Sequence, residues 1–344
     1  MSSSASFSAR DVLEVVKDYL EPSPLIYWTD FLITIAVAYG ALVFYVRAEM
    51  FSWQQIVGYF ITGFALYRAV VFTHEIQHFR NGTFRTFRVV WNLLCGIPLM
   101  VPSFLYDDHK NHHVNHSYGT PDDSEYFPLG VKPVYWVLLF LAFSFLLPVL
   151  GLVRFMFLAP LRWLVPPLRN RIWQKGSSLS NMNPNYRREL PTPAEARDAL
   201  WQEIGCFGVA WAAVVLLIVG VLPWTVLPKW YAVYYFWTAL NQVRTLGAHR
   251  YRNAGAPMTY AGQLMDTNTF PGWPLLTELW APLGMRYHAL HHLVPSMPYH
   301  EMGKAHRRLM KELPPDSPYR GTICSNLLVA MLAVLRSARM TVPQ

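Results

Sequence analysis

The sequence predicts an all-α integral membrane protein: about four transmembrane helices in two hairpins, plus re-entrant or interfacial helices and a cytoplasmic histidine-rich cap. Three observations predict it. Of 344 residues, 53% are hydrophobic and only 15% are charged, against about a quarter charged in a soluble domain. Several apolar runs reach the ~20 residues that an α-helix needs to cross a bilayer. Three compact histidine clusters lie at the ends of those runs or in the loops between them. The net charge of +8 gathers largely in one loop, which suits anionic lipid and not nucleic acid. Cys95, Cys206 and Cys324 are scattered and give neither a disulfide framework nor a CxxC pair.

Taken in order, residues 1–25 mix acids and bases, lack the apolar core of a signal peptide and read as an amphipathic interfacial segment stopped by Pro22 and Pro24. Residues 26–312 form the membrane domain, with the metal site on its cytoplasmic side, and 313–344 an interfacial tail. Ile26 to Val46 and Trp53 to Thr73 are the first two spans, joined by "RAEMFS"; the second runs straight into His74. Ile204 to Leu222 and Trp230 to Leu246 are the third and fourth. Two further apolar stretches are interrupted: 89–106 by Pro98 and Pro102, and 135–160 by Pro148, Gly151 and Arg154. If the clusters form one site, both stretches must return to the side they left, so neither is a single crossing. Charge gives the orientation. Arg154, Arg162, Arg169, Arg171, Lys175, Arg187 and Arg188 face one acid, Glu189, which places that loop and the clusters in the cytoplasm.

The clusters read HEIQH (His74, His78), HKNHH (His109, His112, His113) and HALHH (His288, His291, His292), with a lone His249 before the third. On a helix, positions i, i+3 and i+4 share one side, so HxxHH aims three imidazoles the same way. Neutral imidazole is the common ligand of iron, zinc and copper. A lone HxxxH arises by chance with probability roughly a third at this composition, whereas two HxxHH motifs have odds of about one in ten thousand. HEIQH alone would suggest a zinc protease, but that needs three protein ligands and an open position. Eight clustered imidazoles suit two ions, and His249 is a ninth. Soluble di-iron bundles are built from carboxylates with two Glu-x-x-His motifs; here Glu75 to His78 is the one such motif.

The order HxxxH, HxxHH, HxxHH between paired spans resembles the integral-membrane fatty acid desaturase and hydroxylase superfamily. "HHLVPSMPYH" (291–300) resembles a run found in its acyl-lipid desaturases. The resemblance covers about residues 26 to 312. It implies two iron ions held by the eight box histidines, with dioxygen as co-substrate, and removal of hydrogen from an unactivated alkyl chain. It also implies a ligand role for His249, which matches an extra histidine of some members. Some desaturases carry asparagine four residues before that histidine; this chain has Thr245, with Asn241 one further turn back.

C–H cleavage on a methylene needs a redox metal, which zinc is not. Glu75, Asp107, Asp108, Asp122, Asp123 and Glu125 are the carboxylates near enough in sequence to orient ligand imidazoles. No catalytic residue beyond the metal ligands and no other cofactor site is expected. The chain shows no His-Pro haem pair and no cysteine cluster. Electrons are therefore expected from a separate donor, a ferredoxin-type protein or a cytochrome with its reductase, steered by the basic cytoplasmic face. The favoured reaction at this stage is desaturation of a lipid acyl chain. Its alternatives are hydroxylation of an alkyl, lipid or terpenoid substrate, a zinc metalloprotease, and a histidine-rich metal transporter. His116 is expected to pack beside the site, and His300 and His306 to be structural.

Overall fold

The computed structural model describes residues 9–79, 84–114, 116–179 and 183–339. Among these residues there is no strand, and the isolated bridges are His249–Thr267 and Thr269–Ile323. The first helix, α1 (Ala9–Val16), buries Val12 and Val16 against Ala305 and Leu309. Its apolar face is thus taken up by protein, in place of the bilayer contact expected.

Two long helices follow, α2 (Pro24–Arg47) and α3 (Trp53–His78). Pro24 opens α2, where a missing N–H costs nothing, and Ser52 caps α3 by accepting from the Gln55 amide at 3.2 Å. Leu32, Ile33, Val37 and Phe44 face outward, as lipid-facing positions should, while Tyr27, Phe31, Ile35 and Ala38 pack inward.

Both interrupted stretches return. Helix α4 (Arg85–Trp91) continues through a wide turn at Asn92–Gly96. Its Trp91 donates to the Ala69 carbonyl at 2.8 Å and its Leu94 carbonyl accepts from Tyr39, midway along α2, at 2.7 Å. The chain comes back at Ser103, whose amide donates to Asn92 Oδ1 at 2.8 Å. The short α5 (His109–His112) follows. Helix α6 (Tyr135–Ala142) then runs inward, and α7 (Leu147–Val153) and α8 (Ala159–Leu164), joined by a wide turn, run outward. Helix α9 (Pro166–Gly176) leads to α10 (Pro193–Ile218) and α11 (Val226–Ala248). Along α11, Gln242, Thr238 and Tyr231 donate in turn to the carbonyls of Phe140, Ser144 and Phe145. This descent, followed by return to Glu203 of α10 through Arg162, makes 135–164 a re-entrant hairpin.

Among the described residues, four helices are apolar and long enough to cross a membrane: Pro24–Arg47, Trp53–His78, Leu147–Leu164 and Pro193–Ile218. Three match the expected spans. The fourth expected span lies in α11, which is 23 residues long but carries Thr238, Asn241, Gln242 and Arg244. In depth, α11 still matches α3: Lys229 donates to the carbonyls of Val46 and Ala48 at the α2–α3 turn (2.7 and 3.0 Å), and its other end reaches His249. Phe236 sits against Gly63, where a Cβ would collide with its ring.

The charge count of the basic loop also changes. Arg154 and Arg162 are buried on Glu203, and Arg188 pairs with Asp108 at 3.0 Å. Arg169, Arg171, Lys175 and Arg187 remain exposed. The remaining helices are α12 (Tyr260–Asp266), α13 (Pro274–Trp280), α14 (His288–Leu293), α15 (Tyr299–Glu312) and α16 (Leu327–Arg339). Gly284, at φ 74°, makes the left-handed turn that leads into α14. Val334 and Ala338 of α16 join a core with Leu246, while Leu328 and Leu332 face outward.

Candidate metal centre

Each histidine cluster sits where a helix of the membrane layer meets the cap: His74 and His78 end α3, α5 and α14 carry the two HxxHH motifs, and His249 ends α11. Nine imidazoles converge as two adjoining groups. His74, His78, His109, His113 and His291 form one, and His112, His249, His288 and His292 the other; within each group the ligand atoms lie within 4.8 Å of one another. These are the nine residues singled out in the sequence. The expectation that each HxxHH aims its three rings the same way does not hold. In both motifs the i and i+4 rings share a group and the i+3 ring crosses to the other, because i+3 and i+4 point ~100° apart around a helix axis. His113 and His292 lie at the seam, with ring centroids 4.4 Å apart.

The donor set fits metal. Ligands ~2.1 Å from an ion, at angles of roughly 90–109°, are about 3.0–3.4 Å from each other. The Nε2 atoms of His112 and His249 are 3.2 Å apart, of His249 and His288 2.9 Å, of His109 and His113 3.0 Å, and of His113 and His291 3.1 Å. Tautomers sharpen the point. His112 Nδ1 faces Asp123 at 2.9 Å, and a carboxylate accepts, so the proton sits on Nδ1. Tyr118 gives its hydroxyl hydrogen to Asp266 (3.0 Å) and so accepts from His249 Nδ1 at 2.9 Å. Both Nε2 atoms then aim lone pairs at each other across 3.2 Å, an arrangement that a shared cation relieves.

Electrostatics keeps the rings in the ligating form. Burial, reinforced by neighbouring imidazoles, lowers the basicity of His109, His113, His249, His288, His291 and His292 well below the usual histidine range. The Arg244 charge adds to this at His249 and His288. His112 is the exception: burial opposes its charge, but Asp123, Glu125 and Asp266 raise it above the ordinary value. Burial pushes the Glu125 carboxyl up to about 7 and Asp266 to about 6.

Of the six carboxylates proposed as orienting partners, two hold ligand rings: Asp123 on His112, and Glu125 on His109 Nδ1 at 2.6 Å. Glu75 instead accepts from Tyr27 at 2.5 Å and from the Tyr299 amide at 3.1 Å, and stands 3.7 Å from His74 Nδ1. That arrangement is unlike the free, water-facing glutamate of a zinc protease, and both HEIQH histidines are shared with three other rings. Asp107 and Asp108 turn to Arg88 and Arg188, and Asp122 is exposed. Asp266 and Tyr118 were not visible in the sequence, since neither lies near His249 along the chain. His116 is exposed instead of packing beside the site. His300 accepts from the Ser23 amide at 3.1 Å, and His306 meets the Tyr319 hydroxyl at 2.7 Å. Asn241 reaches Arg244, not His249.

The orienting carboxylates give one prediction here. Asp123→Asn is expected to weaken metal retention by about 10–100-fold, measured as loss of metal to a competing chelator. Retention equal to the parent protein would remove Asp123 from the site.

Beside the first group lies a cavity of about 350 Å³, lined near the histidines by His74, Thr73, Tyr106 and Glu125. Apolar walls from Val70, Phe140, Leu147, Leu150 and Met285 lead away from it, and Arg154, Lys175 and Ser178 stand elsewhere on its lining. A largely apolar cavity leading to paired metal-ligand sets can receive an alkyl chain.

Helical hairpins carrying a buried, all-histidine double ligand set at one side of a membrane layer define a class of integral membrane oxidoreductase. The chain belongs to the fatty acid desaturase family, whose model matches residues 51–323. It is 38% identical over 334 residues to a ceramide hydroxylase of Caulobacter vibrioides (strain NA1000 / CB15N), covering 96% of this chain and 93% of that protein. No solved structure matches it.

Proposed function

We propose that the protein is a dioxygen-dependent, di-iron membrane hydroxylase that inserts oxygen into an alkyl chain of a lipid of the ceramide class. This departs from the desaturation favoured on sequence alone. The observation that carries it is the full-length similarity to a ceramide hydroxylase. In the overall reaction one oxygen atom enters a C–H bond, and the other leaves as water with two electrons and two protons. Desaturation remains the second reading, because the matching model is that of fatty acid desaturases.

The nine histidines would hold the irons, five on one and four on the other. When bound, they supply the dioxygen activation that an inert methylene requires. The protein's own residues do the rest. Asp123, Glu125 and the Tyr118–Asp266 pair fix three of the rings through their Nδ1 atoms. The apolar cavity wall orients the chain and excludes bulk water from it. The site faces the cytoplasm, and a separate carrier, ferredoxin-type or a cytochrome with its reductase, delivers the electrons to that side.

Mass spectrometry of lipid extracts from cells with and without the protein tests this reading. A lipid gaining one oxygen atom is the expected product. A lipid losing two hydrogens would transfer the assignment to desaturation, and an unchanged lipid profile with cleaved protein substrates would overturn both.

A further inference from the structure

The lining of the cavity is not uniformly apolar. On α11, Trp237, Asn241 and Arg244 follow one another at intervals of four and three, so they share one helix face, and all three line the cavity. Arg244 Nη2 donates to Asn241 Oδ1 at 3.0 Å. Among the described residues it has no carboxylate within 4 Å, unlike Arg154, Arg162 and Arg68, each of which is ion-paired. The nearest acid of the lining, Glu125, is committed to His109 and Tyr106. Arg244 Nε, Trp237 Nε1 and Thr73 Oγ1 are buried polar atoms without a hydrogen-bond partner among the described residues. Thr73 adjoins His74, so this polar stripe begins beside the metal-ligand sets.

Arg244 also meets the Tyr67 hydroxyl, but a buried guanidinium without an ion pair is costly and marks function when it faces a cavity. Unpartnered donors likewise need an acceptor that arrives with a ligand. A plain acyl or alkyl chain offers none. We propose that Arg244, held by Asn241, is a specificity-determining residue that binds an acceptor oxygen, a hydroxyl or an amide carbonyl, on the substrate near the carbon to be oxidised. The site thereby prefers an amide-linked or hydroxylated lipid to a bare chain. This deepens the proposed function and rests on it.

The test measures equilibrium binding to the purified, iron-loaded full chain in lipid nanodiscs, with iron content recorded for every sample. The probes are an N-acyl long-chain amino alcohol, its analogue lacking the hydroxyls, its analogue with the amide replaced by methylenes, and a length-matched alkane. The parent protein is expected to lose about 10–100-fold in affinity with whichever analogue lacks the oxygen that Arg244 binds, the range for hydrogen bonds to a charged group. Arg244→Met should weaken the parent lipid by a similar factor, and should no longer distinguish it from that analogue. Arg244→Lys should restore part of the discrimination. Equal binding of all four probes by the parent protein overturns the proposal even if Arg244→Met does not fold. So does undiminished discrimination in Arg244→Met. Absence of iron from the parent protein would instead signal failure of the di-iron reading.

Discussion

His112→Ala is expected to abolish turnover and to lower bound iron while leaving the protein folded. His112 is one of four rings in the second group, and like His249 it has both nitrogens committed. Its Nδ1 is fixed by Asp123 and its Nε2 faces His249. Truncation removes a metal-facing nitrogen and leaves only His249, His288 and His292 around that position. Losing an orienting partner costs 10–100-fold in such sites, so losing the ligand itself should reduce metal affinity by at least about 100-fold. The fold should tolerate the change. Asp123 retains the Gly119 and Glu125 amides as donors, at 2.8 and 2.9 Å, and α5 is a single turn at the cap. Metal analysis alongside product formation, with size-exclusion chromatography as the control for folding, checks this. A variant with full activity would remove the second histidine cluster from the centre.

Glu203→Gln is expected to act on stability, and strongly. Glu203 is fully buried on α10 and accepts from Arg154 at 2.5 Å, Arg162 at 2.5 Å and Trp163 at 2.8 Å. These partners belong to the outgoing arm of the re-entrant hairpin, so one carboxylate ties that arm to a membrane helix. Breaking a buried pair from one side costs about 3–5 kcal/mol, because the opposite charge is left uncompensated; here two guanidiniums would be left. Arg154 also lines the cavity, so loosening the hairpin should disturb substrate binding as well as folding. Thermal unfolding in detergent should show a large fall in midpoint and a reduced yield of folded protein. An unfolding profile like that of the parent would mean that the cluster contributes little and that the hairpin is held by apolar contacts.

Much of the centre was legible in the sequence because imidazole ligands on helices repeat at i, i+3 and i+4, and because parity across a membrane restricts which segments can cross. Those two constraints gave the eight clustered histidines, the two hairpins and the re-entry of 89–106 and 135–160, while His249 came from the family resemblance. The split of the rings was not legible. It depends on how α5 and α14 face each other, and spacing within one helix cannot reveal that. Asp266 and Tyr118 were hidden for a similar reason: they reach His249 through the fold, from distant points in the chain. The polar face of α11 was hidden by its neighbours. Arg244 lies within an expected span, Trp230 to Leu246, and only the cavity explains why a charge is there. Arg154, Arg162 and Arg188 misled in the opposite direction, since they counted as loop charges and prove to be internal ion pairs.

The proposed activity requires two irons held by imidazoles that arrive from four separate places in the chain. Metal content per chain of the protein purified from membranes, set beside that of His112→Ala and His291→Ala, tests it most directly. About two irons in the parent and a clear deficit in each variant is the predicted result, since each substitution depletes a different group. A single zinc in the parent, or iron retained in full by both variants, would contradict it.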